Sequence, residues 1–411
     1  MNPNTIRWID VNVGRLICWF LSLWRSVMGL FAGEFKPRAP QKIVFIKFIE
    51  QGATVLANSA IQKAVDKVGK ENVYFCVFKE NAPVIEVLEL LPRANILVLN
   101  NDSLFQFLGE VLKTLWKIRK LGIDTTIDME FFSRASAIFA YLSGARNRVG
   151  LHRFTSEFPY RGDLMTHRVQ HSPYFHTAVA YMMLVEALYE PFGERPPLKV
   201  PADNFHPEVP QFLPLPEELQ TVKTKLRTEA PGQNYSRIVL LNPNASDMLP
   251  LRKWPTDRFV ELARRLLAET DDTLIVLTGA PGERPKAEEI CTNIGSPRLI
   301  SMAGKTTLRE LFVLYTLSDL LVTNDSGPAH FASTTDVRIV VLFGPETPQL
   351  FGPLGDGVEV IWKGLGCSPC VNAMNHRFSP CNNNLCMQTI TTDEVWQKVV
   401  SSLQQPSFAK L

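Results

Sequence analysis

Apolar runs alternate with amphipathic stretches along most of the chain, starting at Lys42. A short continuous apolar run indicates a buried strand, whereas apolar positions three or four residues apart indicate a helix. The alternation is clear in the successive segments KIVFIKF, IEQGATVLANSAIQKAVDKVG, NVYFCVF and APVIEVLELL, and again later in RIVLLNP, DRFVELARRLLAET and DTLIVLTGAPGE. Strands that alternate with helices predict βαβ units, and therefore an α/β fold built on parallel sheets.

One proline-rich segment, residues 191–216, interrupts this alternation. Its prolines exclude a helix interior and a central strand, because proline lacks the backbone N–H that both need. We therefore expect a linker here, between doubly wound domains at 41–190 and 217–390. A last helix is expected within 391–411, where Thr391 precedes Glu394 at the spacing of a capping box.

The bulk composition narrows the class of protein. A chain of 411 residues is too long for one ordinary core, in agreement with two domains. Its formal net charge is only +2, without the clustered basic excess of a nucleic-acid binder. The seven cysteines are an odd number in a large chain, which does not fit a secreted disulfide scaffold. We therefore expect a protein of the reducing cytoplasm that binds no nucleic acid.

The first 40 residues form a separate amphipathic segment. Arg15 and Arg25 divide its apolar stretch, so the longest uncharged run is shorter than the about 20 residues that span a bilayer. A cleavable signal peptide also fits poorly, since no small-residue site follows a clean apolar region. On a helix, Trp19 and Trp24 lie on a broad apolar face beside a thin cationic stripe, as in helices that lie in a membrane interface. Packing on the protein's own domain or on a partner subunit fits the same pattern.

The motif TNDSGPAH, residues 323–330, is expected at a junction between a strand and a helix. Pro328 suits the first turn of a helix, and Ser326 or Asp325 can cap that helix. Gly327 lets a ligand approach the backbone closely. The helix start would then bind an anion through its N–H groups and dipole. A capped turn with a core histidine at His330 fits the same residues.

Two further loops follow strands in the second half. The segment NPNASDMLPLRKWP places Arg252 and Lys253 where cations would neutralise a diphosphate. The segment TGAPGE places Glu283 where a carboxylate would accept hydrogen bonds from ribose hydroxyls. Ordinary solvated loops account for each segment taken alone. Their common position favours a ligand site, because ligands of doubly wound sheets bind outside the carboxyl ends of the strands.

Together these motifs resemble glycosyltransferase family nine, the ADP-heptose:lipopolysaccharide heptosyltransferases. The resemblance covers roughly residues 42–404 and rests on the segments NPNAS…RKWP, LTGAPGE, SMAGKTTLREL, TNDSGPAHFAS and VVLFGPETP, and more loosely on IVFIKFIEQGATVLANSAI. It implies a GT-B fold, in which two Rossmann-like domains face each other across a cleft. It also implies a nucleotide-sugar donor on the C-terminal domain, a glycolipid acceptor on the N-terminal one, and inverting transfer without a metal or other cofactor.

The resemblance assigns roles by position. It implies that the donor is held by Asp325, Ser326, Gly327 and His330 at its diphosphate and sugar, by Ser246 and Lys253 at phosphate or sugar, and by Glu283 at the ribose. The expected activity is transfer of heptose from ADP-heptose to a lipid-linked glycan such as lipopolysaccharide core. The enzyme would work at the cytoplasmic face of a membrane, as a peripheral protein.

The first loop departs from the family pattern. The family usually places an aspartate, its base, directly after the glycine, but FIEQGATVLA has Ala53 after Gly52. Inverting transfer needs a group that takes the acceptor's proton. Glu50 in the same loop, or Asp128 and Glu130 at the end of DTTIDME, would have to replace that aspartate. The alternative is a catalytically altered or inactive family member that binds a nucleotide sugar and acts as a binding or scaffold protein.

Four cysteines near the C-terminus have the spacing of a structural zinc site, with thiolates from Cys367, Cys370, Cys381 and Cys386. The tail also resembles the family pattern, which does not require a metal in every member. We therefore expect free thiols here, with a structural zinc as the first alternative and a disulfide as the second.

Overall fold

The structure is a computed structural model that describes residues 3–32, 37–152, 154, 160–245, 249–372, 374 and 377–405. The chain divides into two compact units. Unit 1 comprises Met1–Glu208 with Ala373–Arg377, and unit 2 comprises Val209–Asn372 with Phe378–Leu411. The first division point lies within the proline-rich segment 191–216, where the described regular structure before Pro216 is the single 3₁₀ turn Ala202–Asn204.

Unit 1 contains one six-stranded parallel sheet. Its strands are β1 (Ile43–Ile46), β2 (Val73–Phe78), β3 (Ile96–Leu99), β4 (Thr125–Asp128), β5 (Asn147–His152) and β6 (His167–Gln170), in the spatial order β3-β2-β1-β4-β5-β6. Its helices are α1 (Pro3–Ala32), α2 (Gln51–Leu56), α3 (Asn58–Val68), α4 (Ala82–Val87), α5 (Leu104–Lys120), α6 (Arg134–Leu142) and α7 (Thr177–Glu186). Every residue of β1 is buried, as expected of a parallel strand covered by helices on both faces.

Unit 2 repeats this architecture. Its strands are β7 (Arg237–Asn242), β8 (Thr273–Leu277), β9 (Leu299–Ser301), β10 (Leu320–Asn324), β11 (Arg338–Phe343) and β12 (Val358–Trp362), in the order β12-β11-β10-β7-β8-β9. Its helices are α8 (Pro216–Glu229), α9 (Thr256–Glu269), α10 (Arg284–Ile294), α11 (Leu308–Thr316), α12 (Gly327–Ala332), α13 (Pro348–Phe351), α14 (Leu385–Gln388) and α15 (Thr392–Gln404). The α/β prediction with two doubly wound parallel sheets is confirmed.

Both sheets reverse their strand order at one place. In unit 1 the switch point lies between the neighbouring strands β1 and β4, and in unit 2 it lies between β7 and β10. The loops that leave the carboxyl ends of such a strand pair run in opposite directions, which opens a crevice for ligands. These two edges therefore position the candidate sites.

The sequence patterns did not predict three of the elements, β6, β12 and α7, for physical reasons. Strands β6 and β12 lie at sheet edges, where polar side chains interrupt an apolar run. Helix α7 is apolar on most of its circumference, because it packs on α3, α2 and β5. An element that is buried on several sides shows no helical period in its sequence.

Helix α1 packs on unit 1 along one face, against the start of α6. The Asp10 carboxylate accepts the N–H groups of Arg134 and Ala135 at 3.0 and 2.9 Å, where the helix dipole favours a negative charge. A Cβ on Gly14 would lie 2.8 Å from the Arg134 Cβ, so glycine permits the close approach. Cys18 on the same face is fully buried. The sequence-based alternative of packing on the protein's own domain therefore holds for this face.

The rest of α1 is exposed and apolar. Its exposed large side chains are Ile6, Trp8, Ile9, Val13, Leu16, Ile17, Trp19, Phe20, Leu23, Trp24, Val27, Met28, Leu30 and Phe31. By length and composition alone, residues 5–31 of α1 form a helix that could cross a membrane, within the described part of the chain. This is weak support for spanning, since core helices and signal sequences have the same composition.

Candidate functional site

The switch point of unit 2 is held together by a hydrogen-bonded asparagine. Asn324 is the last residue of β10, and its Nδ2 donates to the carbonyl oxygen of Asn244 in the loop after β7 at 3.0 Å. The backbone N–H of Trp254, at the far end of the same loop, donates to the Asn324 Oδ1 at 3.0 Å. One fully buried side chain thus fixes both ends of the loop that carries Arg252 and Lys253.

The loop after β8 joins the same network. Asn242 Nδ2 donates to Thr278 Oγ1 at 3.2 Å, and Asn244 Nδ2 donates to the Thr278 carbonyl at 3.3 Å. A Cβ on Gly279 would lie 2.8 Å from both Asn244 Nδ2 and Glu283 Oε2. Glycine is therefore required where these two side chains approach the backbone. The Glu283 carboxylate also accepts the N–H of Ala280 at 2.6 Å, which fixes it at the carboxyl edge.

The TNDSGPAH motif has the expected order of strand, turn and helix. Strand β10 ends at Asn324, and α12 begins at Gly327 with Pro328 in its first turn, as predicted. Of the two candidates for the cap, Ser326 and Asp325, Ser326 occupies the cap position. Its side chain makes no capping hydrogen bond, because its hydroxyl donates to the Asn324 carbonyl at 3.1 Å. A Cβ on Gly327 would lie 3.1 Å from the Phe331 ring, so glycine keeps this turn compact.

Arg252 is bound by two buried carboxylates. Its Nε lies 3.3 Å from Asp325 Oδ2, and its Nη2 lies 2.9 Å from Glu346 Oε2. Glu346 lies in the loop after β11 and is fully buried, whereas Asp325 is 3% exposed. Buried carboxylates need a cation, because an uncompensated buried charge is costly. Arg252 therefore orients the loop of Asp325 through a largely buried ion pair. The ion pair between Glu346 and Arg252 was not predicted from the sequence.

The remaining donor residues of the sequence-based hypothesis lie on the same edge, with one exception. Lys253 is half-buried, and its backbone is fixed by hydrogen bonds from its N–H to Pro250 and from Asn384 to its carbonyl, at 3.0 and 3.1 Å. His330 lies one turn into α12 and is buried. Ser246 lies outside the described residues.

The corresponding edge of unit 1 carries charges. Lys47 follows β1 and is fully buried, with its Nζ 2.9 Å from Glu130 Oε2 and 3.0 Å from Glu50 Oε2. Burial alone would lower the pKa of Lys47, but the two carboxylates outweigh it and raise that pKa above its usual range. Glu130 also accepts the N–H groups of Phe48 and Ile49, at 2.6 and 3.2 Å. Lys47 and Glu130 thus tie the loop after β1 to the loop after β4.

Glu50 is the most accessible of the three carboxylates considered as a base, Glu50, Asp128 and Glu130. Its side chain is 19% exposed and also forms an ion pair with Arg377. Its backbone has φ 75° and ψ 87° directly before α2, a conformation that costs a non-glycine residue about 1 kcal/mol or more. Ala53, which stands where the family's aspartate is expected, is buried within α2.

Asp128 is fully enclosed. Its carboxylate lies 3.0 Å from Arg161 Nη1 and accepts hydrogen bonds from the Ser136 hydroxyl and the Glu130 N–H, at 2.9 and 3.0 Å. Burial raises the pKa of Asp128 to about 6, although Arg161 and these hydrogen bonds act in the opposite direction. The contacts of Asp128 are those of a residue that holds β4, α6 and the Arg161 segment together.

None of the four C-terminal cysteines forms a disulfide, and only Cys386 among them is buried. Burial, with a contribution from the neighbouring thiols, raises the pKa of Cys386 to about 11. Within the part of the chain that the structure describes, no three His, Cys, Asp or Glu side chains are arranged to hold a metal ion.

The sequence profile of glycosyltransferase family 9 (heptosyltransferase) matches residues 112–378, about two thirds of the chain. The chain belongs to glycosyltransferase family 9. This match includes the loops after β7, β8, β10 and β11, which the hydrogen bonds above bring to one edge. The family suggested by the sequence motifs is therefore confirmed.

Curated relatives of this family 9 chain are similar at modest identity. A lipooligosaccharide heptosyltransferase 2 from Campylobacter jejuni is 26% identical over 190 residues, which are 44% of this chain and 56% of that protein. A lipopolysaccharide heptosyltransferase 2 from Salmonella typhimurium is 32% identical over 115 residues, 27% of this chain and 32% of that protein. These relatives are thus matched over less than two thirds of their own length.

Solved structures resemble the chain over more of its length. The E. coli ADP-heptose lipopolysaccharide heptosyltransferase II has a TM-score of 0.66 at 18% identity, covering 88% of this chain and 98% of that one. The E. coli heptosyltransferase WaaC with ADP has a TM-score of 0.57 at 16% identity, covering 88% and 99%. The fold class expected from the sequence is confirmed: a GT-B-type pair of doubly wound Rossmann-like units with an additional N-terminal helix.

Proposed function

We propose that this chain is a glycosyltransferase that moves a sugar from a nucleotide-sugar donor, ADP-heptose, to a lipid-linked glycan of the lipopolysaccharide core type. Family membership supports sugar transfer, and the names of the relatives support heptose and lipopolysaccharide. The main support for a donor site in unit 2 is that the loops after β7, β8 and β10 converge at its switch point. Doubly wound sheets bind nucleotides at such a point.

The donor's diphosphate would lie against the turn between β10 and α12. Ser326, Gly327 and Pro328 are half-buried in this turn and remain accessible from solvent. Lys253, half-buried in the loop after β7, would supply positive charge for the leaving diphosphate. Glu283 would receive the ribose hydroxyls at the end of β8, and Ser246 would contact phosphate or sugar. Asp325 and His330 would complete the group that holds the diphosphate and the sugar.

The proposed reaction is a single displacement with inversion that uses no metal. The acceptor hydroxyl oxygen attacks the anomeric carbon, and a new C–O bond forms as the bond to the diphosphate breaks. The electron pair leaves with the diphosphate, and a base takes the hydroxyl proton. We assign the base to Glu50, since it is partly exposed whereas Asp128 is enclosed by its own partners. Asp128 remains the second candidate of the sequence-based hypothesis.

Helix α1 would keep the enzyme at the cytoplasmic face of a membrane. Asp10, Ser22 and Arg25 of this helix form hydrogen bonds or ion pairs with other residues of unit 1. The solvent-exposed surface of the helix is apolar and rich in tryptophan. An amphipathic helix with exposed Trp, Phe and Leu binds in the plane of a bilayer interface. A peripheral position brings the enzyme to a lipid-linked acceptor.

The decisive experiment is a transfer assay with purified protein, ADP-heptose and a heptose-deficient lipopolysaccharide core. We expect a heptosylated product by mass spectrometry, and Lys253→Met to lower the rate at least tenfold. The matched control is Lys286→Met, which removes an exposed cation of unit 2 that has no assigned role in donor binding. This variant should keep the wild-type rate.

A second function is suggested by Ala53, which stands where the family has its catalytic aspartate. The chain would then bind the donor without catalysing sugar transfer. In a thermal-shift assay, ADP at 100 times its Kd would stabilise the protein by about 2.7 kcal/mol. Stabilisation by ADP-heptose without any product would establish the binding protein in place of the transferase. Neither stabilisation nor product would contradict both.

A further inference from the structure

Helix α5 exposes apolar side chains that the proposed function leaves unused. Leu108, Leu112 and Trp116 lie four residues apart on one stripe and are 50%, 69% and 62% exposed. The other side of α5 packs on the sheet through Leu115 and Ile118, so the core does not need the stripe. A contiguous exposed stripe of large apolar residues indicates an interaction surface.

A row of basic side chains follows the stripe around the helix. Lys113, Lys117 and Lys120 are exposed, and helical geometry places them beside the apolar stripe on the outer face. The Lys120 Nζ lies 5.0 Å from the centre of the Trp116 ring. The acidic residue of this helix, Glu110, is paired with Lys113 at 3.3 Å. The outer face of α5 is therefore apolar on one half and positively charged on the other.

Helices α1 and α5 lie on the same side of the sheet of unit 1. Both pack against α6, and one apolar cluster contains Cys18 of α1, Leu115 of α5 and Phe139 of α6 together with one face of the sheet. Helices that cover the same face of a sheet turn their outer sides in the same direction. The exposed apolar faces of α1 and α5 therefore look toward the same side of unit 1.

We propose that α1 and α5 form one surface that binds an anionic lipid bilayer. Leu108, Leu112 and Trp116 enter the interface beside the apolar face of α1, and the lysines of α5 contact anionic headgroups. Charge complementarity favours an anionic bilayer over a second copy of the chain as the binding partner. Two copies that paired through α5 would bring their rows of lysines together, and like charges repel. The inference rests on the membrane part of the proposed function and adds a second helix and a preference for anionic lipid.

The first test measures co-sedimentation of the full chain with vesicles of phosphatidylcholine, with and without phosphatidylglycerol. The triple variant Lys113→Gln, Lys117→Gln and Lys120→Gln should bind the anionic vesicles at least about tenfold more weakly, since each basic residue near an anionic surface strengthens binding several-fold. The matched control Lys223→Gln, Arg227→Gln and Lys286→Gln removes the same charge from exposed positions of unit 2 and should bind like wild type.

The second test addresses the apolar stripe. Leu112→Ser should weaken vesicle binding several-fold, whereas Leu213→Ser, at a residue of unit 2 that is 71% exposed, should not. Wild-type vesicle binding by a variant with serine at Leu108, Leu112 and Trp116 would overturn the proposal. A second outcome would also overturn it: the wild type is a dimer, and the variant is a monomer that binds vesicles as the wild type does. The stripe would then be the interface between two copies of the chain. Vesicle binding needs neither donor nor acceptor, so its failure leaves sugar transfer untouched and is distinguishable from the failure of that function.

Discussion

The two sheets have the same strand order, but their carboxyl edges are built differently. In unit 2, neutral amides join the loops: Asn242, Asn244 and Asn324 connect the segments after β7, β8 and β10. In unit 1, the same position holds a buried cation, Lys47, between the carboxylates of Glu50 and Glu130. Topology supplies a crevice in both units, and the side chains decide how each crevice is used.

The difference has a physical consequence. Amide hydrogen bonds fix the loops of unit 2, and Arg252, Asp325 and Glu346 form ion pairs that are largely buried. The edge itself carries the cation Lys253 and the carboxylate Glu283, which would suit a donor with a diphosphate and a ribose. The edge of unit 1 instead depends on ion pairs in a poorly solvated place, where the loss of one member is costly. Glu50 is the member of that group that solvent reaches.

The largest expected effect is on the chemical step at unit 1. Glu50→Gln should lower the transfer rate by about 10²–10⁴-fold, because the amide cannot take a proton from the acceptor. Steady-state kinetics with ADP-heptose would measure it. Glu80→Gln, at an exposed carboxylate of the same unit, is the control and should keep the wild-type rate. An active Glu50→Gln variant would exclude this carboxylate as the base.

The next effect is on stability. Lys47→Met leaves buried Glu130 without its cation and should reduce the free energy of unfolding by about 3–5 kcal/mol. Lys63→Met breaks a half-exposed pair with Glu186 in the same unit and should cost about 1 kcal/mol or less. Denaturant unfolding followed by tryptophan fluorescence would compare the two.

A rescue variant makes the cause of this loss explicit. Adding Glu130→Gln to Lys47→Met removes the uncompensated charge while the amide oxygen still accepts the N–H groups of Phe48 and Ile49. The double variant should therefore be more stable than Lys47→Met alone. Equal stabilities of the double and single variants would show that packing of the lysine stem, not its charge, holds this edge.

A smaller effect depends on pH. Asp128 has a pKa raised by burial to about 6 from the usual 3.8, so its ionisation opposes folding. The penalty is absent below about pH 4, grows as the pH rises to 6 and is constant above that. Asp128→Asn should therefore gain stability relative to wild type between pH 4 and 7, by up to about 3 kcal/mol. Urea unfolding at these pH values measures the difference, and a difference that does not change with pH would contradict the prediction. Asp257→Asn, at an exposed residue, should show no such gain.

The smallest effect is expected at unit 2. Arg252→Lys keeps the charge but loses the planar fork that reaches both Asp325 and Glu346. The Asp325 turn should become less ordered, and ADP should bind about tenfold more weakly, a loss of about 1.4 kcal/mol. Calorimetric titration with ADP would test this. Arg265→Lys alters an exposed pair with Asp393 and should bind ADP like wild type.

Local features were predictable because they depend on neighbours in the chain. The turn at residues 323–330 follows from Gly327 and Pro328, and the last helix follows from its capping box at Thr391. Apolar runs predicted the central strands for the same reason, as β1 shows. Edge strand β6 and helix α7 were missed, because their residues reflect burial against elements that lie elsewhere in the chain.

The sequence by itself determined the fold class and the family, and it located the loops that carry the candidate ligand residues, since strand periods, prolines, glycines and motif letters are local. Only the tertiary structure decided which of these residues meet. Arg252 contacts Asp325 across 73 residues, and Lys47 contacts Glu130 across 83, through strand neighbours that no local pattern specifies. It also decided that one face of α1 is docked and that the outer faces of α1 and α5 share one side. Burial and charge pairing are properties of the assembled sheet, so they become visible only when the strands are in order.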